Sequence, residues 1–357
     1  MATADLSALN QQIADDQLNG GDKLEYAGGQ IRDPQVEALI VGRSLPWWSE
    51  TRFNTGQIVK ADGLMTAADL MEKLPLLGSP LGFQNVYAGR RGQQVPQKRA
   101  VVRELDGKVV GCVGMGYRIV QPQEAFDWAD SLVDSGAAKY ETAGLLHQGS
   151  VAFISMEIGH LDIKVNGVDD PIDFYLMVRN SYDGGSSLTA VITPVRVVCT
   201  NTDRMARLKA ISQFSIRHSA RVEGKLEAAR QALGIEFRYE ADWAVTAQKL
   251  ADTRLVDEQV KEIFRTAIWP LPDDISETRE LNHPSTAAYE LYLSSPSIAS
   301  IAGTAWGAYN AVTEFIDHVK PYDKARVNSP EDRRLDTITL GSGQDRKDVA
   351  LAALLKA

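Results

Sequence analysis

The run TPVRVVCTNT, residues 193–202, sets one arginine inside an apolar, β-rich stretch and ends in small polar residues. DRMARLKA follows, with its apolar residues spaced for a helix. Thr200, Asn201 and Thr202 are all competent helix N-caps, and a helix start presents unpaired backbone N–H donors with partial positive charge. Such a junction suits an anion, and Arg196 just before it offers a guanidinium fork of the kind that grips phosphate. The plain alternative is a capped helix entering the core, with Arg196 paired to a carboxylate.

A second cationic group precedes it. QKRAVVREL and KVVGCVGMGYRIV flank Asp106-Gly107, and Asp-Gly between β-branched runs predicts a tight hairpin. With side chains alternating, Arg99, Val101 and Arg103 share one face, which is therefore read as basic. Val86 to Arg118 holds seven Lys/Arg against two acids, and Pro194 to Val222 holds six against one, so each carries +5. The whole chain carries −9, leaving −19 for the rest. Net charge alone argues against nucleic acid, but affinity follows where the positive charge sits. The segregation equally fits two solvated faces.

The elements that must position these residues fall into an order. Residues 1–85 read as a mixed segment with little regular structure, holding SLPWWSE as a docking segment for the same chain or a partner, and a short helix in MTAADLMEKL capped by Thr66. Residues 86–215 gather the strands: the Asp-Gly hairpin, GSVAFISMEIG, DDPIDFYLMVRN, and a long strand after the Gly-rich turn SYDGGSS. An amphipathic helix over QPQEAFDWADSLVDSG lies among them, with Phe126, Ala129, Leu132 and Val133 as its apolar stripe. Pro194 cannot donate to a ladder and predicts a sheet edge or a bulge near Arg196. Residues 216–320 read as helical: RVEGKLEAARQAL, ADWAVTAQKLADTRLVDEQVKEIFRTAIW, and GTAWGAYNAVTEFIDH, where Trp306, Tyr309, Val312 and Ile316 face a core or a partner. Residues 321–357 read as a polar, mobile tail ending in a short helix, DVALAALLKA. The fold class is α+β, an antiparallel sheet with a packed helix followed by a helical C-terminal region.

Catalytic readings find little support. The five histidines, His147, His160, His218, His283 and His318, show no HExxH or other close ligand pairing. There is no GxxxxGK[ST] loop, GCVGMG has the wrong spacing for a dinucleotide loop, and GSS lacks a nucleophile-elbow context. Asp169, Asp170 and Asp173 are a conceivable metal set, but DDP reads better as a turn. Cys112 and Cys199 make no disulfide framework. No run reaches the roughly 20 apolar residues of a membrane helix and no apolar signal core opens the chain, so a cytoplasmic, membrane-free protein is expected.

The blocks GYRIVQPQEAFDWADSLVDSG, ETAGLLHQG, RNSYDGGSSLTAVITPVRVVCTNT and GTAWGAYNAVTEFIDH, in that order, resemble a phage- and plasmid-borne family long catalogued as having no known function. The resemblance spans about residues 85–320. That family is in turn similar, remotely, to the phage single-strand annealing proteins, which line a basic DNA groove with an antiparallel sheet and a helix and assemble as rings or helical filaments. The resemblance implies a non-enzymatic protein without cofactor or metal. Its partners would be single-stranded DNA, the annealed duplex, further copies of itself, and a host single-strand binding protein, in the cytoplasm of a bacterial host. Annealing breaks no covalent bond, since base pairing drives it. Under this reading Arg90, Arg91, Lys98, Arg99, Arg103, Arg179, Arg196, Arg204, Arg207, Lys209 and Arg217 neutralise phosphates, and Thr200, Asn201 and Thr202 donate hydrogen bonds. Tyr117, Phe174 and Tyr182 are the candidates to wedge between bases. Two other readings stand beside it: a phage factor acting on a host protein through Trp47, Trp48 and the long helices, and a metal-dependent nuclease whose carboxylates converge only in the fold.

Overall fold

The computed structural model describes residues 66–134, 138–196, 201–202, 213–218, 236–272, 274–321, 333–334, 337 and 341–357, together with the backbone of three short strands nearer the N-terminus. The segments SLPWWSE and RVEGKLEAARQAL lie outside the described residues.

The fold is α+β. The three N-terminal strands are β1 (Glu25–Ala27), β2 (Gln30–Arg32) and β3 (Ile58–Lys60). β1 and β2 pair with each other, and β3 joins the main sheet. Helix α1 (Ala67–Lys73) follows, and Thr66 caps it in a reciprocal box with Asp69 that meets two otherwise unpaired donors. A four-residue turn of helix, α2 (Pro75–Gly78), leads into a small antiparallel sheet in the order β4 (Leu81–Ala88), β5 (Gln93–Arg103) and β6 (Val109–Gly114). The Asp106-Gly107 turn closes β5 on β6 as its sequence predicts, with Gly107 at φ +69° and Arg103 N–H bonded to the Lys108 carbonyl.

Helix α3 (Pro122–Asp134) packs on the main sheet, burying Phe126 and Ala129. That sheet contains β7 (Lys139–Leu146), β8 (Val151–Val165), β9 (Val168–Ser181), β10 (Leu188–Arg196), β11 (Asn201–Thr202) and β12 (Gln213–Ile216). Its order is β11-β10-β9-β8-β7-β3, with β12 also on β10, and every pairing is antiparallel. Tyr175, Leu176, Met177 and Val178 are consecutive and all at most 2% exposed, so both faces of β9 are covered. The expected boundaries at 85 and 215 fall inside β4 and β12, so neither marks a break between the described units.

One expectation about β10 is corrected. Pro194 marks neither an edge strand nor a bulge: β10 is an inner strand of the sheet, and the β9–β10 register runs unbroken from Thr189–Arg179 to Arg196–Ile172. Asn201 and Thr202 pair with Arg196 and Val195 as strand β11, and the helix expected after them lies outside the described residues.

The C-terminal region is helical. The single long helix expected over 241–269 is two, α4 (Glu236–Asp252) and α5 (Asp257–Ile263), the latter continuing as a wider turn to Ile268. The break comes where Arg254 forms a β-bridge with Thr304. Helices α6 (Glu277–Leu281) and α7 (Pro284–Ser294) precede α8 (Ala305–Glu314), which is capped by Thr304 and buried along its whole length. Trp306, Tyr309, Val312 and Ile316 therefore face this chain's own core. Trp306 Nε1 donates to Asp170 Oδ2 at 2.7 Å, fastening α8 to β9. The short helix expected at the end of the tail is present, longer than expected and docked on the core. Residues 342–354 form α9, docked through buried Ala350, Leu351 and Leu354 and a buried Lys347–Asp317 ion pair of 2.6 Å.

Candidate nucleic-acid interface

The predicted cations divide into three groups with different surroundings. Arg90, Arg91 and Lys98 stand exposed on the β4–β5 hairpin, whose tip turns through Gly89 and Gly92 at φ +75° and +62°. From residue 74 to Arg103 the chain contains no acidic residue, so nothing local neutralises them. Tyr87, 60% exposed, sits beside them on β4, opposite Gln94. Among the described residues none of the three cations is ion-paired. They are free to meet an anion.

Arg99 and Arg103 are placed differently. Alternation does set them on one face with Val101, but Val101 is fully buried, so that face of β5 turns inward. The Arg99 guanidinium lies 3.6 Å from the Phe83 ring centroid and donates to the carbonyls of Met115 (2.8 Å) and Tyr117 (3.0 Å). Arg103, 4% exposed, forms a two-pronged bond with Asp106 through Nε (3.0 Å) and Nη2 (2.7 Å). That guanidinium holds the Asp106 carboxyl down at about 2. Arg103 is thus buried in the small sheet, while Arg99 stays partly exposed against Phe83.

The third group follows the main sheet. Arg179, buried on β9, lines a cleft at the end of the sheet where the turn at 147–149, the start of β8 and the Asp183 turn meet. Arg217 is exposed immediately after β12, whose Ile216 pairs with Leu188 at that same end. Arg196 is at the opposite end of β10. Arg179 is opposite Thr189, and the seven residues from there to Arg196 span about 23 Å of extended chain. Thr200, Arg204, Arg207 and Lys209 lie outside the described residues, as does the Arg196 side chain. The described residues thus bring Arg103 and Arg179 to one end of the sheet and leave Arg196, Asn201 and Thr202 at the other.

The wedge candidates are enclosed. Phe174 is fully buried and Tyr182 is 2% exposed. Tyr117 donates its hydroxyl to the Ser181 carbonyl (2.6 Å) and is stacked under the His218 ring at 4.8 Å. Burial, with a smaller contribution from Asp183, pushes the Tyr117 phenol well above its ordinary value, and burial does the same to Tyr182. Burial also lowers the His218 pKa. Among the described residues Tyr87 is an exposed aromatic beside the unpaired cations Arg90, Arg91 and Lys98, and composition alone did not distinguish it from a core tyrosine.

Asp169, Asp170 and Asp173 each meet a different partner. Asp169 pairs with Lys164, Asp170 accepts from Trp306, and Asp173 contacts His160 Nδ1 at 2.5 Å. All three lie on β9, and the turn is instead at Asn166-Gly167, both with positive φ. Among the described residues no group of three His, Cys, Asp or Glu is placed to hold a metal ion. No described helix is long and apolar enough to cross a membrane.

Comparison with curated proteins and with solved structures gave no significant match. The model of a family described as a domain of unknown function, DUF932, matches residues 109–339, which take in β6, α3, most of the main sheet and the helices through α8. That is more than half of the chain, and the protein belongs to the DUF932 family.

Proposed function

We propose that the protein binds single-stranded nucleic acid through the β4–β5 hairpin and promotes pairing of complementary strands without ATP. The observation that carries this reading is the exposed trio Arg90, Arg91 and Lys98 beside exposed Tyr87, on a hairpin without a single acid. Cations along a strand neutralise phosphates, and an exposed ring gives a base a surface to stack on. The pairing step is proposed from the remote likeness of the family, and not of the sequence blocks themselves, to phage annealing proteins. A protein that anneals must hold one strand with its bases accessible, and several copies in a ring or filament would extend the strand from hairpin to hairpin. The basic segment from Arg196 to Arg217 would add phosphate contacts.

The test is annealing of two complementary oligonucleotides carrying a donor and a quencher, with wild type and with Arg90→Ala/Arg91→Ala/Lys98→Ala. Faster pairing by wild type, lost in a triple variant that remains folded, is the expected result. A pairing rate equal to that without protein would refute the reading and turn attention to a protein partner.

A further inference from the structure

The cleft at the end of the main sheet has a volume of about 600 Å³, within the range of small-molecule sites. Its position follows from a close approach. A Cβ on Gly111 would collide with the backbone at Tyr182 and Asp183, so β6 docks directly against the end of β9 and the two sheets form the walls. Lys108 and Arg179 both line it. Lys108 has no ion pair among the described residues. The lining carboxylate, Asp183, already accepts from Ser181 Oγ (2.6 Å) and the Gly185 N–H (2.7 Å). Among the described residues lining the cleft, two are cations and one, already engaged, is a carboxylate.

Two further observations point to the same wall. His147, Gln148 and Gly149 have φ of +50°, +58° and +96°, three left-handed residues in succession, of which two are not glycine. Strain of this kind costs about 1–3 kcal/mol per residue and clusters where a ligand is held. Behind Gly149 lies the Arg103 guanidinium, so close that a Cβ there would strike Nη1. That Nη1 is buried and has no hydrogen-bond partner among the described residues, while Nε and Nη2 are committed to Asp106. A buried guanidinium nitrogen without an acceptor is rare, and this one stands behind the 147–149 turn and not in the lining of the cleft.

We infer that the cleft binds a phosphate monoester of nucleoside size. Lys108 and Arg179 would meet the phosphate, Ser150 and Ser186 would add hydroxyl donors, and Val110 and Val151 would pack against the apolar body. The inference stands apart from strand binding by the hairpin. The phosphate has two sources, a free mononucleotide or the phosphorylated end of a strand.

Titration calorimetry of the full chain with AMP, inorganic phosphate and adenosine tests it. AMP binding at about millimolar or tighter, competition by phosphate and no heat from adenosine are expected. Lys108→Gln, and independently the exposed-rim Ser186→Ala, should weaken AMP, the former by about fivefold or more. Arg90→Ala/Arg91→Ala/Lys98→Ala should bind AMP as wild type does, which separates this cleft from the hairpin. Comparing an oligonucleotide with and without its 5′-phosphate identifies the source: a Lys108-dependent preference for the phosphorylated end indicates a strand terminus, and none indicates the free nucleotide. Absence of AMP binding by folded wild type, adenosine binding as tightly as AMP, or affinity unchanged in both Lys108→Gln and Ser186→Ala would overturn the inference.

Discussion

Arg103 grips Asp106 across the Asp-Gly turn with two hydrogen bonds of 3.0 and 2.7 Å, and in doing so leaves the surface. The pair fixes the β5–β6 connection and draws the guanidinium against Gly149. A cation that alternation assigned to a binding face is a structural clasp.

The clasp has a pH signature. The Asp106 carboxyl is lowered to about 2 by the Arg103 bond, against about 3.9 in an unfolded chain. A depressed folded-state pKa favours the native state above the unfolded value, and the contribution is lost as pH falls through about 4 towards 2. Denaturant midpoints of wild type and Asp106→Asn should differ most above pH 5 and converge near pH 2. A difference independent of pH would show that the pair is held by geometry alone.

His218 works in the opposite sense. Burial against Tyr117 lowers its pKa below the unfolded 6.5, so the unfolded chain binds the proton more readily. Stability should fall as pH drops below about 7, levelling off below the folded pKa. Replacing His218 by Phe keeps a ring over Tyr117 and should flatten the dependence between pH 7 and 5. An unchanged pH profile in His218→Phe would assign the slope elsewhere.

Trp306→Phe should destabilise the protein by about 1–3 kcal/mol, because Asp170 Oδ2 loses the indole donor at 2.7 Å while remaining buried. Urea unfolding followed by circular dichroism measures the loss. A change under about 0.3 kcal/mol would mean that other partners of Asp170 suffice.

Gly111→Ala should cost about 1–3 kcal/mol or more, since its Cβ would collide with the main chain at Tyr182–Asp183, which cannot rotate away as a side chain can. Thermal unfolding reads the cost. The variant should also widen the cleft and weaken AMP.

Much of this fold is legible in residue order because its signals are local. Thr66 with Asp69 specifies a helix start, Asp106-Gly107 a hairpin, and Phe126 with Ala129 the buried stripe of α3. What sequence could not show depends on partners distant in the chain. Arg99 donates to the carbonyls at 115 and 117 and Arg103 to Asp106, and these contacts, which no local pattern announces, draw both guanidinium groups into the fold. The ladder from Asn201 and Thr202 to Arg196 and Val195 is likewise unannounced, because their side chains carry N-cap chemistry and no strand signal. The cleft residues Lys108, His147 and Gln148 carry no motif. Only the succession of positive φ angles marks the last two, and HQG does not announce it, since glycine is just the third of the three residues.

The central claim is that exposed hairpin cations meet phosphates, and salt dependence measures that most directly. Fluorescence anisotropy of a labelled single-stranded oligonucleotide, from low to moderate salt, gives the slope of log affinity against log salt. Each phosphate neutralised contributes about −0.7, so wild type should show a steep slope and Arg90→Ala/Arg91→Ala/Lys98→Ala one shallower by about 2. Equal slopes for the two proteins, or no binding by wild type at low salt, would contradict the account.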